Sequence, residues 1–273
     1  MASKVGFLGL GEMGKGMAMN LINKGCDLTV FDVREEPVNE LKQLGAKVAS
    51  TPGDMAATSE VIFTMVRDDT QTEEVIFGKD GILEGIKNGS TIIIVSTASP
   101  SLCQKIAKEA DKKGVGVLDA PVSGAKAGAA AGTLTLMIGG NTSLVKKMEP
   151  ILEMVSANRF HLGDIGMGQV GKLANNMILF SSMSATTEGI AFAIKAGIPL
   201  ETLLNFVNVS TGNNWVSQHW DAMAGLKSDR SPTATLHLMY KDLNLGLGYA
   251  KEIGVDLPLA SQFNQIDLWR PVS

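Results

Sequence analysis

Gly9, Gly11 and Gly14 follow the apolar run Val5-Gly6-Phe7-Leu8 with the spacing G-x-G-x-x-G. Where a strand hands over to a helix, each of these glycines has a physical task. The first permits a tight turn, the second lets a pyrophosphate come against the backbone, and the third lets the helix lie close to the strand. Leu10, Glu12 and Met13 complete the loop. The free N–H groups and partial positive charge of the helix start suit an anion. Asp32 ends the next apolar run, Asp27–Phe31, where a carboxylate can accept from both hydroxyls of an adenosine ribose. Together these residues predict a dinucleotide cofactor. An acid at Asp32 repels a 2′-phosphate, so NAD is favoured. NADP is possible if Arg34 swings inward, although Arg34 reads first as a solvated loop charge.

Such residues need elements to hold them. Strand-like segments at Val5–Leu8, Asp27–Phe31, Ala46–Val48, Val61–Val66, Thr91–Val95, Val115–Asp119 and Thr133–Ile138 alternate with helical spacing at Gly14–Lys24, Glu36–Leu44 and Pro100–Lys113. Arg67-Asp68-Asp69 reads as a polar turn. This alternation predicts a parallel sheet with helices on both faces. The pattern changes near Gly163. A glycine-rich stretch, Asp164–Gly171, leads into a proline-free run from Lys172 to Ala196, which reads as a buried helix. Beyond it, helix punctuation at Gly197-Ile198-Pro199, Gly212 and Gly254 leaves little strand character. The fold class expected is an α/β domain followed by an all-α domain.

The bulk numbers exclude several functions. A net charge of −4 over 273 residues, without a basic block, offers nothing to nucleic acid or to an anionic membrane. Cys26 and Cys103 are too few and too far apart for a disulfide framework or a zinc site. His161, His219 and His237 are scattered, so no metal is expected. The opening MASKVGFLGLG does not read as a signal peptide, and no run reads as a membrane span. A cytoplasmic protein is the expectation.

Four further segments follow the glycine loop in order: STASP (96–100), DAPVSGAKAGAAAGTLTLMIGG (119–140), GMGQVGKLANNM (166–177) and YKDLNLGL (240–247). With that loop they resemble the β-hydroxyacid dehydrogenase family, from residue 4 to about 260. The family includes 3-hydroxyisobutyrate dehydrogenases, tartronate semialdehyde reductases and succinic semialdehyde/glyoxylate reductases. The resemblance implies an α/β Rossmann domain and an all-α domain joined by a long interdomain helix, with the active site in the cleft between them. Residues 1–163 would bind the dinucleotide, and residues 164–273 would serve substrate and oligomerisation. It implies hydride transfer between NAD(H) and a small β-hydroxyacid, and the strongly apolar helical domain adds the expectation of a homodimer or homotetramer.

The resemblance also assigns residues. Lys172, in the G-x-x-x-K-x-x-x-N pattern, becomes the general acid/base. Asn176 lies four residues on, on the same helix face. The chemistry agrees, because a carbinol that loses hydride must also lose its hydroxyl proton to some base. Ser123 and Gly124 become the substrate-carboxylate site, followed by Ala125 where relatives commonly carry a second glycine. Trp215, in STGNNWVSQHW, becomes a wall of the substrate pocket, with Asn213, Asn214 and Gln218 as polar neighbours. Met65, Val66, Thr97 and Lys241 join the cofactor side, with Asp242 orienting Lys241 or stabilising a helix start. The chain reads FNQIDLWRPVS after LPLASQ, where relatives typically carry a further helix and an acidic motif. Two other readings remain: an NADPH-dependent semialdehyde or glyoxylate reductase, and a non-catalytic dinucleotide-binding scaffold.

Overall fold

The computed structural model describes residues 3–221 and 234–263, the side chains of 234–238 excepted. The tail with Trp269 and Pro271, and the His237 side chain, lie outside the described residues. The chain divides into two compact units, one ending at Lys172 and one starting at Leu173.

The first unit is built on a nine-stranded sheet. β1 (Lys4–Leu8), β2 (Asp27–Phe31), β3 (Lys47–Val48), β4 (Val61–Thr64), β5 (Thr91–Ile94) and β6 (Gly116–Asp119) run parallel in the order β3-β2-β1-β4-β5-β6. Every residue of β4 (VIFT) and β5 (TIII) is buried, as expected of strands covered on both faces. Their alternation splits the core in two. Phe7, Phe63, Ile93 and Leu118 pack into one cluster, while Leu8, Ile62, Ile92 and Ile94 pack into the other. Phe7 and Phe63 stack at 5.6 Å on adjacent strands.

At one edge the otherwise parallel sheet turns antiparallel. β7 (Val122–Ser123) and β8 (Leu134–Gly139) pair antiparallel, and β8 also meets β6 antiparallel. β9 (Ser156–Gly163) then pairs parallel with β8. The reversal comes from the short return through α7 (Ala125–Ala131), which is too brief for a crossover to a parallel neighbour.

The helices of this unit are α1 (Glu12–Asn23), α2 (Glu35–Gln43), α3 (Pro52–Thr58), α4 (Asp69–Phe77), α5 (Ile82–Gly85), α6 (Pro100–Asp111), α7 and α8 (Thr142–Leu152). Four of them, α3, α4, α6 and α8, start on side-chain caps that hydrophobic spacing does not show. Thr51 Oγ1 accepts from Asp54 N at 3.0 Å ahead of Pro52. Asp68 Oδ1 accepts from Gln71 N at 2.9 Å, so the polar turn at Arg67-Asp68-Asp69 is a helix start. Asn141 Oδ1 accepts from Ser143 N at 2.9 Å. Side-chain caps satisfy N–H groups that the first helical turn leaves open.

α9 (Met167–Lys195), 29 residues long, starts in the first unit and continues into the second from Leu173. Leu173, Phe180, Met183, Ile190 and Ala193 are buried, but Ile178 is 69% exposed and Phe192 78%. The expectation of a buried helix therefore holds for one stripe only. By length and composition α9 could also cross a bilayer, which the sequence reading did not anticipate. Its scattered Asn, Ser, Thr and Gly residues interrupt any continuous apolar run. The described remainder of the second unit is α10 (Leu200–Val207), α11 (Trp215–Gln218), α12 (Ala234–Glu252) and α13 (Pro258–Phe263), with no strand among the described residues. Phe180 and Met183 of α9 pack with Val216, Met239, Leu243, Ala260 and Phe263.

Candidate active site

The glycine loop joins β1 to α1 at the carboxyl ends of the parallel strands. Gly9 has φ +91° and donates its N–H to Phe31 O at 3.0 Å. A Cβ on Gly9 would strike the Met65 carbonyl oxygen, and one on Gly14 would strike the Gly9 carbonyl oxygen. Those two glycines are demanded by the protein's own packing. Gly11 is different: a Cβ there would meet nothing within 4 Å among the described residues. The protein keeps that side of the loop clear, as a cradle for a pyrophosphate requires. Glu12 is an exposed partner of Lys126 at 3.4 Å, and Met13 packs on the core.

Asp32 is bound to the same loop. Its Oδ2 accepts from Leu10 N at 2.6 Å, and its Oδ1 accepts from Arg34 N at 2.9 Å. Arg34 adds Nε to Oδ1 at 3.0 Å and Nη2 to Oδ2 at 3.1 Å. Burial pushes the Asp32 carboxyl up, but the Arg34 hydrogen bond, the two backbone donors and the Arg34 charge outweigh it and hold it below its ordinary value. Arg34 is thus a partner of Asp32 rather than only a solvated charge. Four donors fill both oxygens, so ribose hydroxyls would have to displace the guanidinium, whose side chain is 59% exposed against 8% for Asp32. An exposed pair of this kind is worth about 0–1 kcal/mol. Arg34→Ala should therefore tighten NAD modestly, by up to about fivefold, and weaken NADP by removing the cation nearest a 2′-phosphate. Titration with both cofactors checks this. An unchanged NAD/NADP affinity ratio would mean that Arg34 does not face the ribose.

Met65 and Val66 follow β4, with Met65 N bonded to Leu8 O at 2.8 Å and Val66 N to Ser96 Oγ at 2.8 Å. Each also packs against one of the two core clusters. Thr97 lies in the loop after β5. The cap of α6 is Ser99, whose Oγ accepts from Leu102 N, so Thr97 is not spent as that cap.

Ser123 ends β7 and Gly124 opens α7 with φ +130°. Ala125 follows at φ +52°, in the left-handed region, where a Cβ is strained. A non-glycine residue there costs about 1–2 kcal/mol. Ala125→Gly should therefore raise the melting temperature by a few degrees. A lower melting temperature would mean that the methyl stabilises the loop in some other way.

Lys172 sits in the second turn of α9 and closes the first unit. The start of that helix is anchored by residues the sequence reading did not single out. Asp119, at the end of β6, accepts from Gly166 N and Gln169 N, each at 2.7 Å. Burial pushes the Asp119 carboxyl up, and these backbone donors only partly offset the shift. Gln169 Nε2 donates to Ser96 O at 2.9 Å, and its Oε1 accepts from Ala98 N at 3.1 Å. The two carbonyl and amide groups flank Thr97. The first unit therefore brings the glycine loop, Asp32, Met65, Val66, Thr97 and the Lys172 helix start to the carboxyl ends of neighbouring strands.

In the second unit, Asn176 is buried and its Nδ2 donates to Asp242 Oδ2 at 2.7 Å. Lys241 Nζ lies 3.0 Å from Asp242 Oδ1. Asp242 is inside α12, not at its start, and holds both residues at once. Trp215 is the first residue of α11, 52% exposed, with its ring stacked on His219 at 4.3 Å. It is not a core tryptophan. Asn214 caps α11 and bonds Thr186, and Gln218 bonds Asn213 at 2.9 Å. A surface concavity of about 550 Å³ lies at the opposite, amino ends of β1, β4 and β5, between Lys4, Glu60, Lys87 and Lys147, and none of the candidate residues lines it. Among the described residues no cluster suits a metal ion.

A glycine loop between β1 and α1, an acid at the end of β2 and a mostly parallel sheet are the frame of a dinucleotide-binding domain. Residues 4–163 match the NAD binding domain of 6-phosphogluconate dehydrogenase, and residues 166–269 match the NAD-binding domain of NADP-dependent 3-hydroxyisobutyrate dehydrogenase. The chain is 35% identical to a 2-(hydroxymethyl)glutarate dehydrogenase of Eubacterium barkeri, over 96% of this chain and 87% of that protein. It is 37% identical to a probable mitochondrial 3-hydroxyisobutyrate dehydrogenase of Dictyostelium discoideum, over 96% and 84%. Among solved structures, the Mycobacterium tuberculosis 3-hydroxyisobutyrate dehydrogenase with L-serine superposes with a TM-score of 0.89 at 30% identity, over 97% of this chain and 92% of that one. The chain belongs to the β-hydroxyacid dehydrogenase family and is an NAD(P)-dependent hydroxyacid dehydrogenase.

Proposed function

We propose that this chain oxidises a small β-hydroxyacid of the 3-hydroxyisobutyrate type with NAD, using Lys172 as general acid/base. The observation that carries the reading is in the first unit. A loop left open only at Gly11 and the anchored start of the Lys172 helix are both built onto the carboxyl ends of one sheet. The substrates named for the relatives agree in form: each pairs a primary hydroxyl with a carboxylate across one intervening carbon.

Held by the glycine loop and Asp32, a bound nicotinamide dinucleotide would supply the hydride acceptor for the carbinol carbon. The chain's residues do the rest. The Lys172 amine takes the hydroxyl proton in oxidation and returns it in reduction. Ser123 Oγ and the backbone at Gly124 bind the substrate carboxylate by charge-assisted hydrogen bonds. Asn176, held by Asp242, presents a fixed amide one turn beyond Lys172 on the same helix. Trp215 supplies an apolar wall, and Lys241 serves the cofactor.

A spectrophotometric panel tests the reading. NAD and NADP are paired with 3-hydroxyisobutyrate, serine, glycerate and 4-hydroxybutyrate, and the reduced cofactors with glyoxylate, succinic semialdehyde and tartronate semialdehyde. Turnover of a β-hydroxyacid with NAD is expected. Turnover confined to a semialdehyde with NADPH would favour the reductase reading, which the Arg34–Asp32 pair supports. The exposed Ile178, Phe192, Phe206 and Val209 support a homodimer or homotetramer. Light scattering should report more than one chain per particle. Cytoplasmic residence is part of the same proposal, and cell fractionation tests it.

A further inference from the structure

We infer that Asp119 and Gln169 are positioning residues that hold the Lys172 amine at its working point, an inference that rests on Lys172 being the acid/base. Three sequence-distant motifs converge on one buried knot. Asp119 comes from DAPVSG, Gln169 from GMGQVGK, and Ser96 and Ala98 from STASP. Asp119 and Gln169 are both 0% exposed. The Asp119 carboxylate grips the first turn of α9 through Gly166 N and Gln169 N, both at 2.7 Å. The Gln169 carboxamide bonds Ser96 O and Ala98 N, on either side of Thr97.

The knot is more rigid than a helix cap needs to be. A surface serine or threonine caps a helix at little cost, whereas a buried carboxylate is expensive unless its partners are fixed. Here the space around it is shaped as well. A methyl on Gly139 would strike Asp119 Oδ1, and one on Gly168 would lie 2.7 Å from Asp119 Oδ2. Lys172 is three residues past Gln169, less than one helical turn. The rotation and height of α9 at Lys172 are therefore set by bonds to the ends of β5 and β6. Misplacing a catalytic group by about 1 Å can cost about a hundredfold in rate. A tether of this kind acts on kcat more than on cofactor affinity.

The test is a double-mutant cycle between Gln169→Leu and Lys172→Ala, with melting temperature and NAD dissociation constant measured on every variant. Gln169→Leu keeps side-chain bulk and removes both hydrogen bonds. It should lower kcat by about ten- to a hundredfold, change NAD affinity far less, through the Thr97 loop that Gln169 also braces, and speed amide exchange over 166–172. In the Lys172→Ala background the same change should have almost no further effect, because a tether without its amine has nothing to position. Asp119→Asn, which keeps an acceptor for one N–H, should fall between the parent and Asp119→Ala. Effects that multiply across the cycle, or an NAD affinity that collapses with kcat, would overturn the inference and leave the two residues merely structural. Near-normal turnover of Lys172→Ala alone would instead remove the acid/base reading beneath it.

Discussion

Replacing Lys172 by alanine should lower kcat by about 10²–10⁴-fold while NAD still binds. The two effects separate because the parts of the protein that produce them do not share atoms. The proposed dinucleotide cradle is backbone and Asp32 at the ends of β1 and β2, whereas Lys172 stands on α9. Alanine is a strong helix former, so the turn anchored by Asp119 and Gln169 stays formed. Lys172→Arg sharpens the test. It retains a cation of similar length, but a guanidinium stays protonated at any working pH and cannot take a proton. If Lys172 transfers a proton, arginine should be nearly as inactive as alanine. If it supplies only charge, arginine should restore much of the rate. Single-turnover kinetics with saturating cofactor distinguish these outcomes, and wild-type rates in Lys172→Ala would remove the residue from the chemistry.

Much of the frame that holds this site is legible in the sequence, for a simple reason. β1, β2, β4, β5 and β6 are buried on both faces, so they stand out as runs of Val, Ile, Leu and Phe between turns. The glycine loop is legible because its three glycines keep a fixed spacing between strand and helix, two of them, Gly9 and Gly14, under a local steric demand. Helices set by one capping bond are less visible. α4 begins where Asp68 captures Gln71 N, and a polar triplet alone cannot distinguish that start from a turn. The antiparallel edge at β7 and β8 is hidden too, because a two-residue strand carries no period.

The site follows the same division. Gly9, Gly14 and Asp32 have roles that neighbouring residues dictate, and their positions follow from the local pattern. Asp119, Gln169 and Asp242 have roles that depend on partners far along the chain. Gln169 meets Ser96 across 73 residues, and Asn176 meets Asp242 across 66. No spacing rule links such pairs, since tertiary packing alone brings them within bonding distance. Arg34 is the opposite case. It lies two residues from Asp32, but whether its long side chain turns inward or outward depends on the carboxylate's unfilled lone pairs, which only the geometry reveals.

Among the glycines, Gly11→Ala should leave the melting temperature nearly unchanged and weaken NAD by about ten- to a hundredfold, or about 1.4–2.8 kcal/mol. Its backbone, at φ −65°, suits any L-residue, and a Cβ would meet no protein atom within 4 Å. Reduced freedom in the unfolded chain could even add about 0.4–1 kcal/mol of stability. Among the described residues nothing stands in the way of that methyl, so the loss expected is that of a ligand pressed to the loop. Gly9→Ala should behave in the reverse way. At φ +91°, with a Cβ against the Met65 carbonyl, it should cost about 2–5 kcal/mol by backbone strain and overpacking. That is a large share of a typical domain's stability of about 5–15 kcal/mol. Gly14→Ala should destabilise similarly, because its Cβ would meet the Gly9 carbonyl and part helix from strand. Thermal melts with and without NAD separate the two kinds of glycine. Gly11→Ala should melt like the parent without cofactor and lose most of the stabilisation that NAD brings. Gly9→Ala should already melt low without it. An undiminished NAD shift in Gly11→Ala would mean that the pyrophosphate does not lie against this loop.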